Sequence, residues 1–158
     1  MSTVLQMIEL RTGSVADLAI VDSTMMAAFD PRFGEAWTRN QCLGILALPG
    51  VWLTIAALDG VPAGFALCRL IADEAELLLL ATVPAMRRRG VASALLRSVI
   101  ADSVQEGARK LHLEVREGND AIKLYQGTAF IKVGERRNYY RGMTGQSFHA
   151  FTYSRELP

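Results

Sequence analysis

The sequence predicts an α/β domain built on a mixed central sheet of about seven strands with helices on both faces. An early hairpin joins Val51–Leu58 to Ala63–Ile71 through an Asp-Gly turn, so the sheet begins antiparallel. Further on, a nearly continuous apolar run at Glu76–Val83 is followed by a long helix and then by an alternating strand at Lys110–Arg116. Because a strand–helix–strand crossover joins parallel strands, these two strands, the fourth and the fifth, are expected to be parallel.

Apolar spacing, caps and turn residues predict the other elements, and no linker divides the chain, so we expect one domain over residues 1–158. The helices are expected from the Gly13-Ser14 cap to Phe29, from Thr38 to Leu48, from the Gly90-Val91-Ala92 turn to Gly107, and over Asn119–Gly127. The remaining strands are expected at Met7–Arg11, Phe130–Gly134 and Phe148–Arg155, with a loop at Asp30–Glu35.

Composition and charge exclude several classes of protein. The chain has 158 residues, of which 51% are apolar, and this excludes a disordered chain. Its longest apolar stretches are far shorter than the roughly 20 residues of a membrane span, and the opening MSTVLQMIEL lacks the pattern of a secretion signal. A net charge of +1 gives no overall attraction to nucleic acid or membranes. We therefore expect a cytoplasmic protein, monomeric or homodimeric, without a membrane or nucleic-acid partner.

The cysteines and histidines predict no special chemistry. Cys42 and Cys68 form no CxxC pair and are interpreted as small buried residues of a reducing compartment. The two histidines are far apart in the sequence and no cluster of cysteines or carboxylates accompanies them, so no metal site is expected.

The turn between the fourth strand and the long helix is the strongest candidate for a binding site. Arg87 precedes Gly90, Val91 and Ala92, and the helix follows directly. A helix start offers unpaired N–H groups and the positive end of the helix dipole, small residues let an anion reach the main chain, and arginine donors match phosphate oxygens. An ordinary connection with solvated arginines, or arginines that contact RNA, would leave the same pattern. These residues alone do not decide between the two.

The wider sequence resembles the GNAT N-acetyltransferases, whose signature R/Q-x-x-G-x-G/A reads Arg87-Arg88-Arg89-Gly90-Val91-Ala92 here. The similarity runs from Asp73 to the C-terminal strand, about half of the chain, and includes Leu113–Arg116, Asn119, Leu124-Tyr125, Phe130 and Arg136–Tyr140. These last elements are similar to the RimI-type enzymes, which acetylate the N-terminal alanine of a small-subunit ribosomal protein. Ala28-Phe29 and Trp37-Thr38 also stand where that family has its aromatic-rich entry to the second helix.

The resemblance implies that the fourth and fifth strands splay apart and admit the pantetheine arm of acetyl-CoA, the co-substrate, which would pair with main-chain groups of the fourth strand. The pyrophosphate would rest on the turn and helix start, and Asn119 would bind the cofactor near its reacting end. The cofactor-binding residues implied in this way are Leu80, Ala81, Thr82, Arg87, Arg88, Arg89, Gly90, Val91, Ala92, Ser93 and Asn119.

Two residues match the catalytic positions of the family. Strand alternation puts His112, Glu114 and Arg116 on one face of the fifth strand, and Glu114 matches the general base that takes a proton from the amine. Tyr125 matches the general acid that protonates the leaving sulfur. The alternatives are an ion pair of Glu114 with Arg116 or Lys110, a packing role for Tyr125, and His112 as the base. Neither cysteine has a histidine neighbour, so direct transfer is preferred over an acyl-cysteine intermediate.

Three functions stay open at this level. The first is a protein N-terminal acetyltransferase, favoured by Asn138-Tyr139-Tyr140 and Trp37. The second is a small-molecule amine acetyltransferase, favoured because the Arg141–His149 tail departs from the RimI-type pattern. The third is a non-catalytic acyl-CoA- or RNA-binding module that uses the arginine clusters. One residue is also missing between Asn119 and Tyr125 relative to the RimI-type spacing, which could move the tyrosine away from the sulfur.

Overall fold

A seven-stranded sheet forms the centre of the computed structural model, which describes residues 7–158. The strands are β1 (Ile8–Thr12), β2 (Val51–Leu58), β3 (Val61–Ile71), β4 (Glu74–Thr82), β5 (Lys110–Arg116), β6 (Ile131–Arg141) and β7 (Ser147–Glu156), in the spatial order β1-β2-β3-β4-β5-β7-β6. The α-helices are α1 (Leu18–Ala28), α2 (Arg39–Leu46), α3 (Val91–Gln105) and α4 (Ala121–Gln126). The expectation about a secretion signal rests partly on residues 1–6, which lie outside the described residues.

Strands β4 and β5 are the parallel pair that the crossover predicted, and they also splay apart. Their pairing runs only from Glu74 opposite Lys110 to Leu77 opposite Leu113. Beyond this point β4 continues to Thr82 and β5 to Arg116 without pairing to each other. The other neighbours in the sheet are antiparallel. The fold prediction, including helices on both faces, is confirmed.

Helices cover both faces of the sheet because each carries one apolar stripe. On one face, α3 buries Val91, Leu95 and Val99, spaced by one helical turn, against the central strands, and α4 adds Tyr125 to the same cluster. On the other face, α1 and α2 pack on β2, β3 and β4. The uncovered part of that second face, over β5 and β7, remains available for polar side chains.

The prediction for the sixth strand was wrong in extent. We expected Phe130–Gly134, whereas β6 continues through the polar stretch to Arg141. Among residues 7–158 it is an edge strand that pairs only with β7 and is exposed along most of its length, so no apolar alternation marks it. The strand also bulges at Asn138, which has a φ of 54° and whose amide donates to Nδ1 of His149 at 3.0 Å. A polar Arg-Arg-Asn run in an exposed edge strand therefore has the same residue pattern as a loop.

Two distant loops pack backbone against backbone. Gly34, in the α1–α2 loop (residues 29–38), lies against the carbonyl of Arg141, and a Cβ at Gly34 would overlap that oxygen. Gly142, in the β6–β7 loop (residues 142–146), lies in the same way against the carbonyl of Arg32. The amide of Met143 also donates to the carbonyl of Pro31 at 3.2 Å. This contact fixes the two loops relative to each other.

Candidate active site

The splay between β4 and β5 opens into a cleft of about 1020 Å³. Several parts of the chain meet there: the diverging ends of the two strands, the start of α3, the start and inner face of α4, the α1–α2 loop, and β6 at Tyr139 and Tyr140. The cofactor-binding residues expected from the sequence that line it are Leu80, Thr82, Arg87, Arg88, Gly90, Val91, Ala92, Ser93 and Asn119, and both expected catalytic residues, Glu114 and Tyr125, line it too. Ala81, buried in the core beneath α1, and Arg89 are not among the lining residues.

The start of α3 is shaped to receive an anion. Gly90, directly before the helix, has a φ of 85°, a left-handed conformation that glycine adopts without strain. The first helical bond is the one from the Ala94 amide to the Gly90 carbonyl, so the amides of the preceding residues have no partner within the helix. Arg88 is also left-handed, with a φ of 63°. Because this residue is not a glycine, its left-handed conformation could not be predicted from its residue type.

Arg87 is used within the chain. Its Nη2 donates to the carbonyl of Ala28, at the end of α1, at 2.9 Å. The bond links the turn before α3 to the helix on the opposite face of the sheet. The guanidinium of Arg87 therefore positions the turn in addition to lining the cleft.

Glu114 lies on the polar face of β5, as alternation predicted. Its Oε1 pairs with Nε of Arg136 at 2.9 Å and its Oε2 accepts a hydrogen bond from Thr152 at 2.8 Å, which leaves the side chain 12% exposed. The ion-pair partners considered from sequence, Arg116 and Lys110, were wrong, since Arg136 arrives from the unexpected extension of β6. The orientation of the Glu114 carboxylate is thus fixed by two partners, and the side chain still lines the cleft.

His112 lies farther from the opening. Its Nε2 is 3.8 Å from the Glu76 carboxylate, at a level where β4 and β5 are still paired. Although Glu76 lines the cleft, His112 does not. Its position therefore favours a structural role over that of an alternative base.

Tyr125 is 6% exposed and packs edge-to-face on Phe130, with ring centroids 5.8 Å apart. Burial raises the pKa of its phenol well above the ordinary value, and the nearby negative charge of Glu35 raises it further. Burial also raises the pKa of the Tyr140 hydroxyl, and the charge of Glu35 raises it further. This hydroxyl donates a hydrogen bond to the Glu114 carbonyl at 3.3 Å. Both phenols hold their protons at neutral pH and line the cleft.

Asn119 is engaged at both ends of its amide. Its Oδ1 accepts from the amide of Ala121, the first residue of α4, at 2.9 Å, and its Nδ2 donates to Oε2 of Glu35 at 2.8 Å. The role of Glu35 could not be predicted from the sequence. A single acidic residue in a polar loop carries no signal by itself, and only the fold brings it to residues more than eighty positions away.

The cysteines lie outside the cleft. Cys42 and Cys68 are buried, and neither lines it. Burial raises the pKa of both thiols, so each thiolate is disfavoured. Within residues 7–158, no group of three or more His, Cys, Asp or Glu side chains is placed to hold a metal ion. In the same part of the chain, no helix is both long and apolar enough to cross a membrane.

Comparison with known families identifies this arrangement. The model of the acetyltransferase (GNAT) family matches residues 19–130. The chain belongs to the GNAT family. The splayed strands, the turn before α3 and the residues Glu114 and Tyr125 all lie within or beside the matched segment.

Individual relatives refine the similarity. The [ribosomal protein bS18]-alanine N-acetyltransferase of Haemophilus ducreyi is 42% identical over 105 residues, or 66% of this chain and 72% of that enzyme. The enzyme of the same name from Haemophilus influenzae is 39% identical over 82 residues, or 52% of this chain but only 56% of the relative's length. The crystal structure of the ribosomal-protein-S18-alanine N-acetyltransferase from Escherichia coli superposes with a TM-score of 0.84, covering 96% of this chain and 94% of that one at 27% identity.

Proposed function

We propose that this protein transfers the acetyl group of acetyl-CoA directly to the α-amine of a polypeptide N-terminus. The observation that carries the proposal is one cleft in which an unpaired strand edge, a helix start with free amides, a held carboxylate and a protonated phenol converge. An extended pantetheine arm fits an open strand edge, because its amides can pair with the main chain of Leu80 and Thr82 as an added strand would. The amides of Val91, Ala92 and Ser93 suit a pyrophosphate.

The proposed reaction follows from the two side chains. A neutral amine attacks the thioester carbonyl, a C–N bond forms, and the C–S bond breaks as the tetrahedral intermediate collapses. Glu114, through a water molecule, takes the proton that the amine must lose, and Tyr125 gives its proton to the departing sulfur. An N-terminal amine has a pKa near 8, so a carboxylate acting through water is sufficient near neutral pH. Arg136 and Thr152 keep the Glu114 carboxylate in a fixed orientation.

A polypeptide acceptor is supported by two observations. The relatives described above are named alanine N-acetyltransferases of ribosomal protein bS18, so their names give a polypeptide acceptor. In addition, the α1–α2 loop, which lines the cleft, is tied to the β6–β7 loop through the two glycine contacts. This wall of the cleft is therefore fixed, and we propose that the acceptor N-terminus binds against it. We therefore propose the N-terminus of bS18 as the first acceptor to test, and with it a cytoplasmic location.

The test is acetyl transfer by the purified protein with three sets of acceptors. These are a peptide with the N-terminal sequence of bS18, the same peptide with a blocked N-terminus and an added lysine, and a panel of small amines. Release of CoA and mass spectrometry of the products measure the transfer. We expect a single acetyl group on the free N-terminus only. Turnover confined to small amines would refute the polypeptide acceptor, and binding of acetyl-CoA without turnover on any amine would refute the enzyme.

A further inference from the structure

Glu35 joins three parts of the cleft through one carboxylate. It stands in the α1–α2 loop, with its side chain only 9% exposed. Oε1 accepts from Nε of Arg116, the last residue of β5, at 3.0 Å, and Oε2 accepts from Nδ2 of Asn119 at 2.8 Å. Both oxygens therefore accept from donors located at the end of β5 and in the connection from β5 to α4.

Arg116, the ion-pair partner of Glu35, is also held in place by several contacts. Arg116 is 12% exposed, and its guanidinium lies 3.7 Å from the centre of the Phe33 ring. Phe33 packs in turn edge-to-face on Phe148, with centroids 5.2 Å apart. Nη1 of Arg116 donates to the Glu117 carbonyl at 3.0 Å. A desolvated ion pair with a cation–π contact is costly to break, because either charge alone would be left buried.

The asparagine side leads to Tyr125. The bond from Nδ2 of Asn119 to Glu35 restrains the amide plane, and that plane presents Oδ1 of Asn119 to the Ala121 amide. Ala121 begins α4, a helix too short to be stable without tertiary contacts, and Tyr125 follows one helical turn later. The direction of α4, and with it the position of the Tyr125 hydroxyl, therefore depends on the contact at Glu35.

We propose that Glu35 is a positioning residue for acyl transfer, which acts through Asn119 and α4 to hold the Tyr125 hydroxyl in the splay between β4 and β5. This inference rests on the proposed function, in which Tyr125 is the acid. The negative charge of Glu35 also contributes to the raised pKa of the Tyr125 phenol, which makes the phenol a weaker acid and does not by itself help the proton transfer.

The variant that tests the proposal is Glu35→Gln, which keeps the size of the side chain but can accept from only one of the two donors. We expect kcat per folded molecule to fall about tenfold, while the dissociation constant of acetyl-CoA changes by less than about threefold. The matched control is Glu156→Gln, which breaks the exposed pair with Lys110 at the other end of β5 and should leave kcat unchanged. Glu35→Asp keeps the charge and should recover part of the loss.

A double-mutant cycle separates positioning from a general effect on structure. If Glu35 acts through Tyr125, Glu35→Gln lowers kcat by less than about twofold in the Tyr125→Phe background. Equal losses in both backgrounds, or full activity of Glu35→Gln, would overturn the proposal. Asn119→Ala leaves the ion pair of Glu35 with Arg116 intact and should show the same non-additivity, so it decides the matter if Glu35→Gln folds poorly.

A second measurement does not depend on turnover. Hydrogen exchange of the Ala121 amide should become about tenfold faster in Glu35→Gln, because the Asn119 cap is released. Absence of turnover by the unmodified protein would refute the proposed function, whereas an unchanged exchange rate at Ala121 would refute the role of Glu35. The two failures are therefore distinguishable.

Discussion

Gly90 and Gly107 flank the two ends of α3 and offer a matched pair for testing the phosphate site. Both are left-handed, with φ values of 85° and 88°. A Cβ at Gly90 would meet only Cδ1 of Ile8, at 3.6 Å, and one at Gly107 would meet nothing within 4 Å. Replacement by alanine at either position therefore adds backbone strain and no collision within the fold. Only Gly90 lines the cleft.

The cost of a left-handed backbone at alanine determines the expected losses of stability and of acetyl-CoA affinity. An L-residue in the left-handed region costs about 1–2 kcal/mol. For a chain of this size that corresponds to a fall in Tm of about 2–8 °C, which we expect in full for Gly107→Ala. We expect the ligand-free turn of Gly90→Ala to relax away from φ 85°, so that this variant loses less stability. Binding of acetyl-CoA must then return the turn to its left-handed conformation, so up to about the same 1–2 kcal/mol is lost from the binding free energy. This loss corresponds to an affinity that is about 5- to 30-fold weaker.

Titration calorimetry with acetyl-CoA and thermal denaturation of the ligand-free protein measure the two effects separately. We expect Gly107→Ala to bind acetyl-CoA like the unmodified protein, and Gly90→Ala to bind it more weakly. A Gly90→Ala variant with a lowered Tm and an unchanged dissociation constant would refute the phosphate site. Equal weakening in both variants would show that the effect passes through the stability of α3 and not through the turn.

The other predictions concern the proton transfers and the arginines. Tyr125→Phe should lower kcat by about 10²–10⁴ in steady-state assays with little change in acetyl-CoA affinity, since only the acid is lost; full turnover with chemistry rate-limiting would make it a packing residue. Glu114→Gln should lower kcat/KM at neutral pH by about 10² or more and recover as higher pH supplies neutral amine; a pH profile of unchanged shape, with Tm measured alongside, would remove the base. Arg87→Ala should weaken acetyl-CoA binding in calorimetry more than Arg89→Ala, because only Arg87 lines the cleft and contacts α1; the reverse order would contradict this. Because the pKa values of Tyr125 and Tyr140 are raised in the folded state, their stabilisation is complete below the ordinary tyrosine value of 10.0 and is lost as pH rises above it, so Tm should fall progressively above pH 10.0, and less steeply in Tyr125→Phe.

Elements with a clear apolar period could be predicted from the sequence. The β2–β3 hairpin, β4, α3 and β5 each bury one face or both, so their residues alternate or recur by turns. The parallel relation of β4 and β5 followed from the crossover, and the splay from the family resemblance. Local patterns were sufficient for these elements because a buried face requires apolar residues at a regular spacing.

The site was less accessible from sequence, because its contacts join distant segments. Glu114 could be placed on a polar face, yet its partner Arg136 depends on the edge strand β6, which carries no apolar alternation. Glu35 could not be found at all, since its partners lie at Arg116 and Asn119. Long-range ion pairs are set by topology, and a polar loop residue looks the same whether it is solvated or buried.

The backbone contact at Gly34 and Gly142 has a consequence for how acceptor preference can change. Neither glycine can gain a side chain without displacing the carbonyl of the opposite loop, so each loop restricts the sequences open to the other. A replacement loop that lacks the glycine would collide with the unaltered partner, so such a change requires a joint exchange of both loops. Neighbours such as Met143, which is 83% exposed, are not restricted in this way. Variation in acceptor choice should therefore accumulate at these outward positions, while the two loops are inherited or redesigned as a pair.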